Sequence, residues 1–214
     1  MSVPDTAIAP RRNNALLVRA AVPADHAAIH AVVIAAYRQY AGLLPPDIFS
    51  AYLADLLDLE THASHGPLIV AEADGRVCGY AAFYPDASAQ GVGWPPGWAS
   101  GRALAVHPAA RGYGVARTLI AAGERLAHDG GSPVLAFHTH SYMTTAIALY
   151  ERSGYRRAPE FDFDVAARVG RPGAAQITAL AYLRCLTPAR THGSGLRHAR
   201  CPAGSIQPKQ RNHQ

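Results

Sequence analysis

The sequence predicts an α/β fold (α+β mixed) in which helices flank a central mixed β-sheet, with the elements in the order β-α-α-β-β-β-α-β-α-β-β. Three observations predict it. Strand-like apolar runs alternate with stretches of helical spacing, Asp74-Gly75 joins two of those runs as a hairpin, and a two-glycine loop separates a strand from a helix. Because 49% of the 214 residues are hydrophobic, one sizeable core can form, and we expect a single folded domain over residues 15–187.

The first half of this domain is predicted to hold two helices ahead of the hairpin. A short strand precedes Pro23, which opens an Ala-rich helix, and the segment Pro45-Pro46-Asp47 opens a second helix. The apolar pattern then changes to that of strands on both sides of Asp74-Gly75. The predicted elements are a strand at 16–19, helices at about 23–40 and 45–57, and strands at 67–72 and 76–84.

The second half begins with a loop over residues 85–98, which is rich in Pro and Gly and contains Trp94 and Trp98. We expect this loop, together with residues 159–175, to shape a substrate pocket. Beyond it, Gly154 is the stop signal of the last predicted helix. The predicted elements are a strand at 102–106, a helix at 115–128, a strand at 134–139, a helix at 142–152, and strands at 155–158 and 176–186.

The positive charge of the chain belongs to its tails. Residues 15–187 carry 13 arginines against 14 acidic residues, whereas residues 188–214 carry five basic residues and no acid. We expect residues 1–14 and 188–214 to be disordered tails, since they hold too few large apolar side chains to offset the entropy of ordering. The sequence offers no secretory signal and no membrane-spanning run, so we expect a cytoplasmic protein without membrane or nucleic-acid partners.

One segment has the composition of a phosphate-binding loop. Arg111-Gly112-Tyr113-Gly114-Val115-Ala116 lies between a predicted strand and the start of a helix, where unpaired N–H groups and the helix dipole favour an anion. Glycines at two positions permit backbone conformations and close approaches that a Cβ would block. A Walker loop is excluded because no lysine precedes Lys209, and a dinucleotide-binding loop would need a third glycine and a position after the first strand.

Two segments, in order, resemble motifs of the GNAT (GCN5-related) N-acetyltransferase family. Residues 104–116, LAVHPAARGYGVA, resemble the L-x-V-x-P-x-x-R-G-x-G-x-[GA] motif, and residues 146–155, AIALYERSGY, resemble the A-x-x-L-Y-x-x-x-G-[FY] motif. The resemblance covers residues 15–187 and implies the GNAT acyl-CoA N-acyltransferase fold. It also implies an N-acetyltransferase that moves an acetyl group from acetyl-CoA, its co-substrate, to an amine acceptor by direct attack, without a metal.

The resemblance assigns roles to individual residues. The strand before the loop would pair with the pantetheine arm, and the loop would hold the pyrophosphate. Tyr150 would be the general acid that protonates the departing thiolate, and His138 would be the base. Met143 occupies the position of the family's usual Asn. The implied cofactor-binding residues are Leu104, Ala105, Val106, Arg111, Gly112, Tyr113, Gly114, Val115, Ala116, Arg117 and Met143.

Several alternatives stay open at the level of the sequence. His140 lies two residues from His138 and could relay a proton or share a metal with it, while Glu72, Asp86 and the acidic run at 160–164 are further candidate bases. The amine acceptor is not identified, and two copies of the chain could pair through edge strands. The chain could also be a non-catalytic acyl-CoA-binding domain, or a nucleic-acid-binding module that uses its C-terminal tail.

Overall fold

The computed structural model describes residues 15–168 and 177–186, and both predicted tails lie outside them. The described part is a mixed α/β structure, as predicted. Its strands are β1 (Leu17–Ala20), β2 (Leu68–Ala73), β3 (Arg76–Tyr84), β4 (Ala99–Val106), β5 (Val134–His140), β6 (Arg156–Arg157), β7 (Phe163–Asp164) and β8 (Thr178–Cys185). Its helices are α1 (His26–Tyr37), α2 (Pro46–Leu57), α3 (Leu59–His65), α4 (Val115–Asp129), α5 (Thr144–Arg152) and α6 (Val165–Arg168).

All the described strands belong to one sheet, in the order β1-β2-β3-β4-β5-β8-β6, with β7 also pairing with β8. Neighbouring strands run antiparallel except β4 and β5, which are parallel. Those two pair over only three positions, the last being Gly101 with Phe137. Beyond that pair the two strands separate, while β5 stays paired with β8 along its whole length.

Helices cover both faces of the sheet. Helices α1 to α3 pack on one face of β2, β3 and β4, and α4 packs on the other face of the same strands. Gly79 on β3 allows α4 to lie close, because a Cβ there would come within 2.5 Å of Val115 Cγ1 in the first turn of the helix. The start of α4 is therefore held tightly against the centre of the sheet.

The predicted loop at 85–98 covers one face of β5 and β8. Trp94 and Trp98 are each 3% exposed and pack with residues of β5 and β8. The Phe161 ring contacts both, tilted against Trp94 at 5.2 Å and edge-on to Trp98 at 5.3 Å, measured between centroids. This aromatic cluster takes the place of a helical layer on one face of β5 and β8, while α4 and α5 pack on the other face.

Three short elements were not predicted from the sequence: α3, β7 and α6. Asp58 precedes helix α3 as its N-cap: its side chain accepts a hydrogen bond from the Thr61 backbone amide and so caps a new helix directly after α2 ends. Within the described residues, no helix has both the length and the apolar character needed to cross a bilayer.

Candidate active site

A cleft of about 770 Å³ opens where β4 and β5 separate. Its walls come from α1 and α2 on one side, from the loop before α4 on another, and from β5 and α5 on the third. Gly101 lies at the base of the opening, where a Cβ would come within 2.0 Å of the Phe137 ring. The absence of a side chain at Gly101 therefore lets Phe137 lie across the point at which the strands divide.

The loop before α4 presents unpaired backbone amides. None of the backbone amides of residues 112–117 makes a hydrogen bond of good geometry to a described residue, and the N-cap residue Gly114 provides no side-chain cap. Gly112 and Gly114 have φ of 84° and 83°, a region that favours glycine. The Arg111 amide differs, since it donates to the Pro108 carbonyl at 3.2 Å. The open donors thus begin at Gly112.

Arg111 contributes its side chain instead of its amide. Its guanidinium donates to the Ala36 carbonyl at 3.2 Å and to Gln39 Oε1 at 3.3 Å, at the C-terminal end of α1. These bonds tie the loop to the opposite wall of the cleft. Arg111 still lines the cleft, as do Arg117 and Arg152.

The remaining residues that the sequence predicted for cofactor binding divide into two groups. Leu104, Val106, Gly112, Gly114, Val115, Ala116 and Met143 line the cleft, whereas Ala105 and Tyr113 do not. The Ala105 side chain is buried in the core beneath α1, and the Tyr113 side chain is 40% exposed. The Leu104 carbonyl accepts a hydrogen bond from the Tyr37 hydroxyl at 3.3 Å, and the register between β3 and β4 skips Leu104.

Tyr150 lies on the floor of the cleft, within an aromatic cluster. Its ring stacks on Phe137 with centroids 4.9 Å apart, and Tyr155 and Tyr182 flank it. Its hydroxyl has no hydrogen-bond partner among the described residues, although the residue lines the cleft. Burial raises the pKa of the Tyr150 phenol above its ordinary value, so the group is protonated near pH 7 and is a weaker acid than a free phenol.

His138 also lines the cleft, but one of its ring nitrogens is already engaged. Nε2 lies 2.9 Å from the Phe161 carbonyl, which can only accept, so Nε2 carries the proton and Nδ1 carries the lone pair. The ring lies 4.3 Å from Trp94 and 4.8 Å from Phe163, measured between centroids. Burial lowers the pKa of His138 to about 4, so the ring is neutral at pH 7 and a weak base.

His140 faces the cleft among tyrosines. Its ring stacks on Tyr142 with centroids 5.2 Å apart and meets the Tyr52 ring edge-on at 5.3 Å. Burial lowers its pKa to about 4. Its Nδ1 is buried without a partner among the described residues. No group of three or more His, Cys, Asp or Glu side chains with metal-binding geometry occurs in the described part of the chain.

Three of the acidic residues considered from the sequence are engaged elsewhere. Glu72 pairs with Arg19, Asp86 caps a turn by accepting from the Ser88 amide, and Asp162 pairs with Arg157 at 2.7 Å. Burial opposes the charge of Asp162, but Arg157 and the Ala181 amide outweigh it and lower the pKa. Within the described lining of the cleft, the single acidic residue is Asp55 of α2.

The polar and aromatic residues that α1 and α2 bring to the cleft were not predicted from the sequence. Asp55 forms an ion pair with Arg102 of β4, and both residues line the cleft. Tyr37 and Tyr52 pack edge-on with centroids 5.8 Å apart, on the same wall. Only helical periodicity was available for these residues, and periodicity does not tell which neighbour a helix face meets. Of the loop at 85–98, only Gln90 lines the cleft.

Comparison with known families gives a match over more than half of the chain. A family model described as the acetyltransferase (GNAT) family matches residues 33–155. This range includes the cleft-lining loop, Tyr150 and both histidines of β5. No curated protein matches the chain.

Solved structures share the fold at low sequence identity. The paia N-acetyltransferase from Thermoplasma acidophilum in complex with coenzyme A has a TM-score of 0.60 at 13% identity, covering 80% of this chain and 99% of that chain. An N-acetyltransferase from Staphylococcus aureus has a TM-score of 0.55 at 20% identity, covering 81% and 99%. A GNAT family acetyltransferase from Brucella melitensis in complex with acetyl-CoA has a TM-score of 0.52 at 22% identity, covering 86% and 97%.

Proposed function

Because this chain belongs to the GNAT family of acetyltransferases, we propose that it moves an acetyl group from acetyl-CoA to an amine acceptor that attacks the thioester directly. One observation supports the use of this co-substrate above the others. The amides of residues 112–117 make no hydrogen bond of good geometry to a described residue, and they adjoin the cleft between the separated strands. Such amides at a helix start favour a diphosphate.

The proposed path of the co-substrate follows the cleft. The pyrophosphate would rest on the loop amides, and Arg117 and Arg152 would add positive charge near it. The pantetheine arm would extend along Leu104 to Val106, where β4 no longer pairs with β5. The carbonyl of Leu104 now accepts from Tyr37, so binding along this edge would exchange that bond for one to the arm.

The chemical step requires one donor and one acceptor of a proton. The amine nitrogen forms a bond to the thioester carbon, and the carbonyl oxygen gains negative charge that a β4 backbone amide would stabilise. When the carbon–sulfur bond breaks, the thiolate takes a proton from the Tyr150 hydroxyl. That hydroxyl is neutral and has no competing partner among the described residues.

We assign the acceptance of the amine proton to His138. Its lone pair is on Nδ1, because Nε2–H donates to Phe161, and the residue lines the cleft. Water between the amine and Nδ1 could carry the proton, with His140 as a second polar group on the same strand face. A cytoplasmic location also belongs to this proposal, since acetyl-CoA is an intracellular metabolite.

The test is an assay of thiol release from acetyl-CoA with a panel of amines, combined with calorimetry of coenzyme A binding. We expect coenzyme A to bind and at least one amine to be acetylated. Binding without turnover across a broad panel would favour the alternative of a non-catalytic acyl-CoA-binding domain. The presence of Met143 at the position of the family's usual Asn is consistent with that alternative. Absence of binding would contradict both.

A further inference from the structure

Arg102 is a cation at the end of the cleft opposite the loop amides. It follows Gly101, the last β4 residue paired with β5, and it precedes Ala103, whose φ is 54°. Its side chain is 21% exposed, and Asp55 is its single partner among the described residues. That contact uses one terminal nitrogen, Nη2. The other N–H groups of this guanidinium have no acceptor in the described part of the chain.

Arg102 presents unused guanidinium donors to the cleft. Arginine presents five N–H donors in a planar fork that fits the two oxygens of a carboxylate. A mostly buried charged group with open donors is costly unless a ligand or water satisfies them. Because both Arg102 and Asp55 line the cleft, a molecule entering it meets those donors directly.

The charges around Arg102 favour the binding of an anion in addition to Asp55. Asp55 is its partner, but the Asp55 side chain is 48% exposed, so water screens much of its charge. The described lining of the cleft holds four arginines, Arg102, Arg111, Arg117 and Arg152, and one acidic residue. Three of these arginines belong to the loop, the start of α4 and the end of α5, at the end proposed for the cofactor. Arg102 is the remaining arginine, and it is available to the amine substrate that accepts the acetyl group.

Arg102 also lies close to the groups proposed to handle the amine proton. Its positive charge contributes, after burial, to the lowered pKa of His138 and of His140. The same charge also acts to lower the pKa of the Tyr37 and Tyr52 phenols, against the effect of their burial. A ligand bound to Arg102 would therefore have its neighbouring atoms beside the histidines and against an aromatic wall.

We propose that the acceptor is an amino acid with a free carboxylate, and that Arg102 binds this carboxylate and so determines specificity. This inference rests on the proposed function. The carboxylate would take the open N–H groups of Arg102, while Asp55 keeps the guanidinium in place. The amine, one carbon from the carboxylate in an α-amino acid, would then face the thioester, and the side chain would meet Tyr37 and Tyr52.

The test compares each amino acid with the amine that lacks only its carboxylate, such as phenylalanine with phenethylamine and leucine with isoamylamine. We expect kcat/KM to favour the carboxylate-bearing member of the best pair at least about tenfold, which is the lower range for a charge-assisted hydrogen bond. Equal or better use of the decarboxylated amines by the unaltered protein would overturn the proposal.

Variants of Arg102 decide whether this residue causes the preference. Arg102→Gln should bring the ratio close to one by lowering only the rate with the amino acid, and Arg102→Lys should retain part of the ratio. Arg184 is a matched control, because it pairs with Glu124 at 2.8 Å and does not line the cleft, so Arg184→Gln should leave the ratio unchanged. An Arg102→Gln protein that loses both members of the pair equally would contradict the assignment.

Calorimetry separates this proposal from the proposed function. Amino acids and their decarboxylated partners are titrated into the protein loaded with coenzyme A, so that no turnover is needed. Preferential binding of amino acids that is lost in Arg102→Gln supports the carboxylate site even if no acetylation is seen, in which case the proposed function is what fails. Indifferent binding refutes the carboxylate site whatever the activity.

Discussion

Tyr150 and Tyr155 belong to one aromatic cluster around Phe137, yet their hydroxyls differ. The Tyr155 hydroxyl donates to Glu124 at 3.0 Å, while the Tyr150 hydroxyl has no partner in the described part of the chain. Burial raises the pKa of both phenols, so both are neutral near pH 7. The open position of the Tyr150 hydroxyl at the cleft, and not its acidity, is what distinguishes it as the proposed acid.

Replacing Tyr150 by Phe should lower kcat by about 10²- to 10⁴-fold, the usual contribution of a general acid, with little change in affinity for acetyl-CoA. Tyr155→Phe is the matched control, since it removes a hydroxyl from the same cluster. It should keep its activity and lose about 1 kcal/mol of stability from the bond to Glu124. Steady-state kinetics and calorimetry measure the two effects, and an unchanged rate for Tyr150→Phe would remove this residue as the acid.

The pH dependence of kcat tests His138. Burial lowers its pKa to about 4, so its neutral form persists well below the ordinary range of histidine. At saturating substrate concentrations, we expect the pH profile of kcat to show no step near pH 6.5. We expect His138→Gln to lower kcat at every pH from 6 to 9. A step near pH 6.5 that vanishes in His138→Gln would indicate an ordinary imidazole, and an unchanged rate would mean that another group takes the proton.

At the scale of elements, the loop and the first turn of α4 act as one unit. Gly112 and Gly114 turn the chain with positive φ, and Gly79 lets the helix start lie against the sheet. The result is a row of open amides at the positive end of a 15-residue helix. Side chains contribute little to this arrangement, which is why a short glycine pattern was enough to predict it.

Two glycines at opposite ends of α4 allow a matched test. Gly114 has φ of 83° and Gly131 has φ of 73°, and a Cβ at either position would meet no atom within 4 Å. Changing either to Ala should cost about 1–2 kcal/mol in strain. Only Gly114→Ala should also weaken coenzyme A binding, because only its backbone lies in the loop. Urea unfolding and calorimetry report the two effects, and equal weakening in Gly131→Ala would show that binding follows stability alone.

The order of the long elements and the glycine loop could be predicted from the sequence, because hydrophobic period, turn residues and caps are local properties. The short pairing between β4 and β5, and the meeting of Asp55 with Arg102, could not. Both depend on how distant segments pack, and residues 47 positions apart carry no shared pattern. The engaged side chains of Glu72 and Asp162 were missed for the same reason.

For the whole molecule, buried histidines link stability to pH. His62 and His140 are 2% and 6% exposed, and burial lowers the pKa of both, as it does for His138. These rings are neutral in the folded protein and gain protons on unfolding once the pH drops below the ordinary histidine value. Between about pH 6.5 and about pH 4 the unfolded state binds more protons than the folded state. The free energy of unfolding must therefore decrease as the pH decreases through this range.

We therefore expect the unfolding temperature to decrease as the pH falls from 6.5 to 4.5. Each such histidine should contribute a slope of up to about 1.4 kcal/mol per pH unit. His140→Gln should make the slope shallower, while His128→Gln, at an exposed position beside Asp129, should leave it unchanged. Differential scanning calorimetry at several pH values measures this. A slope in His140→Gln equal to that of the unaltered protein would mean that His140 is not held neutral.

The most direct measurement is a crystal structure of the protein with coenzyme A bound. We expect diphosphate oxygens within about 2.7–3.2 Å of backbone nitrogens in residues 112–117, with the pantetheine arm between β4 and β5. A diphosphate bound elsewhere on the surface, or a loop whose amides are bonded within the protein when coenzyme A is present, would contradict this expectation.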